Sequence, residues 1–258
     1  MTGSQEKSAV AEPAARVHAP HALLHDYYHS DADRRRFIRG IFDDTAGDYD
    51  RVDRLLAFGS GSWYRRQALL RAGLRPGMQV LDVATGTGLV AREIQRILGG
   101  NGALIGLDPS PGMMGAAGRP LHVPRVQGRA EFLPFADRSF DFLSLGFALR
   151  HLDDLMGVFR EFHRVMKPGG RLLLLEITQP QGRVAGAFMR WYMRRLVPLA
   201  SRLVARHRDT PRLYEYYWDT IEACAPPARV LATLSAAGFT QPDRHVELGM
   251  FSEFRASV

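Results

Sequence analysis

The sequence predicts an α/β fold with a doubly wound, mostly parallel sheet, helices on both faces and a helical insert. Between residues 76 and 177, short apolar runs alternate with segments of helical periodicity, a pattern typical of parallel strands joined by crossover helices. The first apolar run ends in a glycine-containing loop, and the second ends in an acid, Asp108. Residues 180–220 interrupt this alternation with a helical, aromatic and arginine-rich segment.

The individual elements follow from local signals. Strands are predicted at 78–83, 103–107, 124–127, 140–145 and 171–177, with a final strand pair at about 243–255. Helices are predicted at 92–98, 153–166 and 227–237. The run Lys167-Pro168-Gly169-Gly170 stops the second of these helices and turns the chain into a strongly apolar strand.

The chain is expected to divide into three parts. Residues 1–20 are polar and alanine-rich, which predicts a disordered tail. Residues 21–75 are expected to form a helical N-terminal cap, with breaks near Gly40 and at 59–62. Residues 76–258 form the predicted α/β domain, with the insert at about 180–220 as a helical lid.

Composition and charge limit the class of protein. With 258 residues, 46% of them hydrophobic, the chain can bury one large α/β domain with additions. One cysteine excludes an internal disulfide, and no apolar stretch suits a signal peptide or a spanning helix, so we expect a cytoplasmic protein. The net charge of +7 suits nucleic acid, an anionic membrane or simply a solvated surface. Nucleic acid is not expected, because the chain lacks a motif for a flipped base and an added recognition domain.

The loop after the first strand predicts a nucleoside-containing cofactor. Its glycines allow positive φ and close approach of a ligand to the main chain. Asp108, at the end of the second strand, can accept hydrogen bonds from ribose hydroxyls. The segment 86–91 fits the dinucleotide fingerprint, whereas the segment 82–88 fits a loop that binds S-adenosylmethionine. Asp82 favours the second interpretation, because a carboxylate there would repel a pyrophosphate and suit an amino group.

Further motifs then stand in a fixed order, and together they resemble class I S-adenosylmethionine-dependent methyltransferases. They are the loop at 82–88, Asp108-Pro109-Ser110, the run 130–135, Ser139-Phe140-Asp141 and the run 167–170. With them, the dinucleotide interpretation is set aside. Other segments resemble the ubiquinone/menaquinone C-methyltransferase family over roughly residues 37–250: 41–50, 55–63, 146–150 and 175–177. This resemblance implies a Rossmann-like, seven-stranded sheet whose last strand is antiparallel.

The resemblance also implies where S-adenosylmethionine binds. The loop would hold its methionine part, Asp108 its ribose hydroxyls, and Ala130 would lie beside its adenine. The residues assigned to the cofactor are Asp82, Ala84, Thr85, Gly86, Thr87, Gly88, Asp108, Pro109, Met113, Ala130, Glu131 and Gly146. The chain departs from the family pattern at several points: Arg129 stands where Asn or Asp is common, His151 stands where Asn is common, and the motif around Thr85 lacks a further glycine. The departure at His151 bears on the identity of the substrate.

The implied activity is methyl transfer to an apolar, aromatic or quinol-like small molecule, with C-methylation of a prenylated benzoquinol or naphthoquinol as the favoured reaction. A carbon nucleophile requires a neighbouring hydroxyl to lose its proton, so a base and a cation are expected near the strand ends. Arg150 and His151 directly follow the fourth strand. We expect Arg150 to stabilise the oxygen and His151 to accept the proton.

These candidates also have structural interpretations. Arg150 would instead pair with Asp153 or Asp154, and His151 would cap the next helix. Tyr49, the third catalytic candidate, would bind substrate or line the cleft, or else serve in helix packing. The acids near it, between 43 and 53 and apart from Asp50, are expected to form a solvated face.

Partners and alternative functions complete the expectations. The insert fits either a prenyl tail and peripheral contact with an anionic membrane, or a lid packed on the domain. A homodimer is also expected. Other functions left open are O-, N- or C-methylation of another specialised metabolite and, in a different class, a non-catalytic S-adenosylmethionine-binding component of a biosynthetic complex. No metal is expected, because no Cys or paired acid completes a site around the helically spaced His21, His25 and His29, a predicted solvated face.

Overall fold

The described part of the chain is built around a seven-stranded sheet. The computed structural model describes residues 19–56, 60–116, 121, 123–180 and 182–258, so the predicted tail lies almost wholly outside the described residues. The strands are β1 Gln79–Val83, β2 Ala103–Asp108, β3 Arg125–Gln127, β4 Phe140–Gly146, β5 Met166–Ile177, β6 Thr240–Glu247 and β7 Phe251–Ser257. Their order is β3-β2-β1-β4-β5-β7-β6, with β7 antiparallel to both neighbours and the other pairs parallel. The predicted mostly parallel sheet is confirmed.

Helices pack on both faces of this sheet. They are α1 Asp31–Leu56, α2 Gly61–Arg71, α3 Leu89–Leu98, α4 Pro111–Ala116, α5 Leu155–Val165, α6 Arg183–Trp191, α7 Val197–Val204, α8 Thr210–Ala223 and α9 Pro227–Ala236. A 3₁₀ turn, Leu149–His151, follows β4, and a π-helical turn, Tyr192–Leu196, joins α6 to α7. Within the described ranges, no helix combines the length and the apolar character needed to cross a bilayer.

The two faces of the sheet have separate cores. Neighbouring residues of β4, Phe142 and Leu143, point to opposite faces and belong to different apolar clusters. One face packs against α5 and α9, and the other packs against α2 and α3. Strands that are buried on both faces are apolar throughout, which explains why the sequence shows continuous apolar runs.

The N-terminal cap and the insert share a third core. Ile41 of α1, Met189 of α6, Val197 of α7 and Trp218 of α8 are all buried in it. The insert therefore packs on the cap through one face. Its other face leaves apolar side chains exposed: Val184, Phe188, Trp191 and Leu199.

Helix α1 corrects two predictions about the cap. It runs unbroken for 26 residues, so the break predicted near Gly40 is wrong. Glycine costs a helix only about 1 kcal/mol relative to alanine, and packing of the apolar face of α1 outweighs that cost. Residues 21–30, which were expected to be largely helical, precede α1 as turns and irregular chain.

The acids of α1 correct a third prediction. The expectation of a solvated face is wrong for Asp43, Asp48 and Asp53, because each binds another element. Asp48 is buried and accepts the main-chain N–H groups of Arg206 and His207, both at 2.8 Å. These bonds fix α1 to the chain that enters α8.

The strand β5 begins earlier than predicted. It starts at Met166, which pairs with Phe140, and it bulges before Arg171, which pairs with Phe142. Gly169 within this bulge has a φ of +77°, a conformation that glycine adopts without strain. The predicted stop of α5 is confirmed at Val165.

Candidate active site

A cavity of about 580 Å³ opens at the carboxyl ends of β1, β2 and β4. Its walls come from the loops after these strands, from α1, from Arg65 of α2 and from Tyr217 of α8. Ligands of open α/β sheets bind at this edge. The volume lies within the range of ~300–1,000 Å³ that is usual for small-molecule sites.

The loop between β1 and α3 is shaped from below by Asp82. Its carboxylate accepts hydrogen bonds from Thr85 Oγ1 at 2.7 Å and from Ser144 Oγ at 2.6 Å. Burial raises the pKa of Asp82 to about 6, although these two bonds oppose the shift. The φ angles of Ala84 and Gly86, 53° and 55°, show how tightly the chain turns here. Asp82 therefore organises the loop and does not line the cavity.

Asp108, at the end of β2, lines the cavity with its carboxylate. One oxygen accepts the N–H of Gly86 and the other accepts the N–H of Ser110, each at 2.8 Å. Burial raises the pKa of Asp108 to about 6, against the effect of these bonds, and nearby Asp43 adds to the increase. Each oxygen keeps a free lone pair, so the carboxylate can accept the hydroxyls of a ribose.

Helix α1 covers the same loops from above through two carboxylates. Asp43 accepts hydrogen bonds from Ser110 Oγ and from the N–H of Gly112, the latter at 2.9 Å. Asp50 accepts a hydrogen bond from Thr87 Oγ1 and pairs with Arg92 at 2.6 Å. The two acids are seven residues apart, which places them on one helix face. That spacing is the signal that sequence reasoning missed for Asp43.

The wall beyond Asp108 combines apolar contact with a polar group. Leu107, Met113 and Ala130 line the cavity here. Arg129 Nε donates to Glu131 at 3.2 Å, and its guanidinium also pairs with Asp153. The arginine that departs from the family pattern is therefore held at the rim by two acids, and the apolar surface beside it stays free for an adenine.

Four rings form the aromatic end of the cavity: Phe42, Tyr49, His151 and Tyr217. The centroids of Phe42 and His151 lie 5.4 Å apart, and those of His151 and Tyr217 lie 5.9 Å apart. Burial raises the pKa of the Tyr217 hydroxyl well above 10, so this ring stays neutral. The aromatic end thus offers a flat, apolar surface to a ring-shaped ligand.

His151 has one free nitrogen at this end. Nδ1 lies 3.3 Å from the hydroxyl of Tyr216, whereas Nε2 is buried without a partner among the described residues. Burial, together with the positive charges of Arg150 and Arg34, lowers the pKa of His151 well below 6.5. The imidazole is therefore neutral at neutral pH, and its expected role as a proton acceptor stays a prediction. It does not cap α5, whose first N–H groups bind Asp154.

Arg150 lies behind the aromatic end and does not line the cavity. It is fully buried and pairs with Glu176 of β5, so the alternative pairing with Asp153 or Asp154 is wrong. Its Nη1 also donates to the carbonyl of Phe147 at 2.9 Å, and its guanidinium lies 4.7 Å from the ring centroid of Tyr217. Arg150 thus acts on the cavity through Tyr217, and its expected contact with an acceptor oxygen stays a prediction.

The segment before α1 fastens the same turn. His21 Nε2 lies 3.0 Å from the carbonyl of Arg150, and Arg34 donates to this carbonyl at 3.2 Å. His21 is buried, and burial lowers its pKa to about 4, so the expected solvated histidine face is wrong at this position. Across the described ranges, His, Cys, Asp and Glu nowhere gather into a group of three or more that could hold a metal ion.

Most of the expected site residues meet at the cavity. Those that line it are Ala84, Thr85, Gly86, Thr87, Asp108, Pro109, Met113, Ala130, Glu131, Gly146, Tyr49 and His151. Asp82, Gly88 and Arg150 lie outside its lining. The residues that sequence reasoning missed are Asp43, Arg65 and Glu176.

The residues present fit S-adenosylmethionine. A carboxylate with free lone pairs stands at the end of β2, apolar side chains form a wall beside it, and a tight loop faces both. Asp43 and Asp108 place two carboxylates in the lining at this end of the cavity, which suits a cofactor that carries an ammonium and a sulfonium group. The role of each individual residue in binding stays a prediction.

We expect the affinity for S-adenosylmethionine to fall as the pH decreases through about 6, the raised pKa of Asp108. Protonation removes the acceptor for the ribose hydroxyls, so the affinity should decrease by at most about tenfold per pH unit. Asp108→Asn should weaken binding at pH 8 by about 10- to 100-fold and flatten the pH dependence. Calorimetric titration from pH 5 to pH 8 measures both effects, with Asp44→Asn as an exposed control on α1. A pH dependence that persists in Asp108→Asn would contradict this assignment and point to Asp82.

Comparisons with known proteins agree with this geometry. The sequence profile of the ubiE/COQ5 methyltransferase family matches residues 29–250. A ubiquinone/menaquinone biosynthesis C-methyltransferase UbiE from Pseudoalteromonas translucida is 32% identical over 216 residues, 81% of this chain and 85% of that protein. A demethylmenaquinone methyltransferase from Corynebacterium glutamicum is 35% identical over 213 residues, 82% of this chain and 89% of that protein.

A solved structure supports the fold independently. The crystal structure of a SAM-dependent methyltransferase from Aquifex aeolicus superposes with a TM-score of 0.57 and 20% identity, covering 80% of this chain and 96% of that one. At this identity the likeness shows the class I methyltransferase fold. With the profile match and the two relatives, the chain belongs to the ubiE/COQ5 family and is an S-adenosylmethionine-dependent methyltransferase.

Proposed function

We propose that this enzyme methylates a ring carbon of a prenylated benzoquinol or naphthoquinol. The observation that carries the proposal is the aromatic end of the cavity, where a neutral, unpartnered histidine nitrogen stands among three aromatic rings. Support also comes from the two relatives, whose names place them in ubiquinone and menaquinone biosynthesis.

The chemistry of a carbon acceptor explains the residues at this end. S-adenosylmethionine supplies an electrophilic methyl group when it is bound. A ring carbon becomes nucleophilic when the neighbouring hydroxyl gives up its proton, and that proton needs an acceptor in an enclosed site. His151 Nε2 is such an acceptor, because it is buried, uncharged and without another partner. Tyr49 and Tyr217 hold the ring by contact and exclude water from it.

The exposed face of the insert suits a membrane that carries such a prenylated substrate. We propose that this face docks on an anionic bilayer. Val184, Phe188 and Trp191 of α6 are 85%, 62% and 54% exposed, which is unusual for a row of apolar side chains. Residues 183–208 contain seven arginines and no Asp or Glu, so the segment complements anionic headgroups.

The expected homodimer stays a prediction.

The proposed reaction makes a distinct product. With methyl-labelled S-adenosylmethionine and a chemically reduced demethylnaphthoquinol, the label is expected on a ring carbon, where it resists acid and appears as an aryl methyl group by NMR. A label on oxygen or nitrogen would contradict the proposal and favour another specialised metabolite. Saturable cofactor binding with no transfer to quinols or to a panel of small phenols would favour a non-catalytic component.

The role of His151 has its own test. His151→Ala and His151→Gln are both expected to lower kcat by about 10²- to 10⁴-fold, since neither side chain accepts a proton at neutral pH. Affinity for S-adenosylmethionine should change little. Because the pKa of His151 lies well below 6.5, the wild-type kcat should show no acid limb near pH 6.5. A glutamine variant with nearly full kcat would contradict proton transfer and assign His151 to packing.

Docking through the insert is tested by vesicle cosedimentation. Phe188→Ser with Trp191→Ser is expected to reduce binding to phosphatidylglycerol vesicles at least about tenfold, because each buried aromatic contributes roughly 1.5–3 kcal/mol. Trp63→Ser is the matched control, since Trp63 is 59% exposed on α2, outside the insert. Equal losses in both variants, or wild-type binding that is unchanged in neutral phosphatidylcholine, would contradict docking through this face.

A further inference from the structure

Arg65 of α2 is a buried cation in the wall of the cavity, and nothing in the sequence pattern assigned it a role. Its side chain is only 6% exposed, yet it lines the cavity together with Phe147 and Tyr49. The other arginines of the lining differ from it. Arg35, Arg36 and Arg39 are exposed at the mouth, and Arg129 is half-buried at the rim.

The contacts of Arg65 within the described residues leave some N–H groups of its guanidinium without a hydrogen-bond acceptor. Nη2 donates to Asp53 at 2.7 Å, and the guanidinium lies 5.5 Å from the ring centroid of Phe147. Nε is buried without a partner among the described residues. Leaving a charged donor unsatisfied in a buried wall is costly. Nε has no accessible surface, so a ligand with an acceptor oxygen would reach this guanidinium through Nη1, which is not fully buried and makes no hydrogen bond within the described residues.

The charge of Arg65 also reaches the aromatic end. Burial raises the pKa of the Tyr49 hydroxyl, and the charge of Asp53, the partner of Arg65, adds to that increase, whereas the positive charges of Arg150 and Arg65 lower the pKa. Arg150 exerts its influence from behind Tyr217, whereas Arg65 borders the cavity directly. A hydroxyl bound beside Tyr49 is therefore within the field of the Arg65–Asp53 pair, and direct contact with the guanidinium is needed for the positive charge to dominate.

We propose that Arg65 binds the acceptor hydroxyl that ionises, and holds it as an oxyanion while the adjacent ring carbon is methylated; this inference rests on the proposed function. The proton leaves the hydroxyl oxygen for His151 Nε2, and the electron pair left on the oxygen is delocalised into the ring. The ring carbon then takes the methyl group as the bond between that group and the sulfur breaks. The ring becomes aromatic again when this carbon loses its proton and the oxygen is reprotonated, so one proton in total is released to solvent. A guanidinium within ~4–6 Å of the oxygen lowers the pKa of the hydroxyl by about 1–3 units. Arg65 would thereby select acceptors that carry an ionisable ring hydroxyl.

Binding of a chromogenic phenol tests this assignment without methyl transfer. The probe is 4-nitrophenol, bound to protein saturated with S-adenosylhomocysteine and titrated by its phenolate absorbance. Wild-type protein and Arg66→Gln should lower the pKa of the bound probe by at least about one unit relative to Arg65→Gln. Arg66 is the matched control because it is the exposed next residue of α2. Equal probe pKa values in all three proteins, or no binding of the probe, would overturn the proposal.

Turnover gives the second readout. With reduced demethylnaphthoquinol as the acceptor, Arg65→Gln is expected to lower kcat by about 10²- to 10³-fold and to move its pH profile to higher pH. Arg65→Lys keeps the charge, so it should retain the lowered probe pKa even if the glutamine variant folds poorly. A lysine variant with the probe pKa of free solution would overturn the assignment. If the wild type lowers the probe pKa but methylates no quinol, the proposed function fails while the role of Arg65 stands.

Discussion

The acceptor side of this molecule depends on the buried ion pair between Arg150 and Glu176. Both side chains are 1% exposed, and Glu176 accepts the main-chain N–H of Arg150 as well as its guanidinium. The same guanidinium holds the carbonyl of Phe147 and the ring of Tyr217, so strand β5, the loop after β4 and helix α8 meet at one charge. Removing one partner of such a pair costs about 3–5 kcal/mol, because the other charge stays buried alone. Without this pair, Tyr217 and the loop after β4 would lose the contacts that fix them at the aromatic end.

A second set of charges organises the cofactor end. Asp82 and Asp108 hold the loop between β1 and α3 from below, and Asp50 holds it from above through Thr87. Asp43 holds the chain after β2 through Gly112. The proximity of these acids contributes to the raised pKa of Asp108, since Asp43 opposes its ionisation. A bound cation would relieve that repulsion, whereas a pyrophosphate would add to it. The negative charge of the folded site therefore favours S-adenosylmethionine over a dinucleotide, as Asp82 did in the sequence.

The sequence predicted those features that depend on short stretches of chain. Each strand is an apolar run that ends at a polar or turn-forming residue, and the loop at 82–88 contains the glycines that its tight turn requires. Asp43 and Ser110 are 67 residues apart, and the contact between them follows only from the fold. Arg65 was missed for the same reason, because an arginine in a helix gives no sign in the sequence that its side chain faces a cavity. The false break at Gly40 has the opposite cause, a local penalty that long-range packing outweighs.

The two ends of the cavity differ in charge: carboxylates lie at the end that binds the cofactor, and neutral groups lie at the end where the acceptor reacts. Carboxylates lie at the loop and at the ribose position, where they hold a cationic cofactor. The aromatic end presents neutral groups: Tyr49 and Tyr217 have raised pKa values, and the lowered pKa of His151 keeps it uncharged. Methyl transfer from a sulfonium to an oxyanion-activated ring removes both charges, so strong ground-state stabilisation at the reacting atoms would oppose it. The walls around the reacting carbon are neutral, and the one cation, Arg65, lies at the hydroxyl oxygen in our proposal. This arrangement favours ionisation of the hydroxyl without stabilising charge at the reacting carbon before methyl transfer.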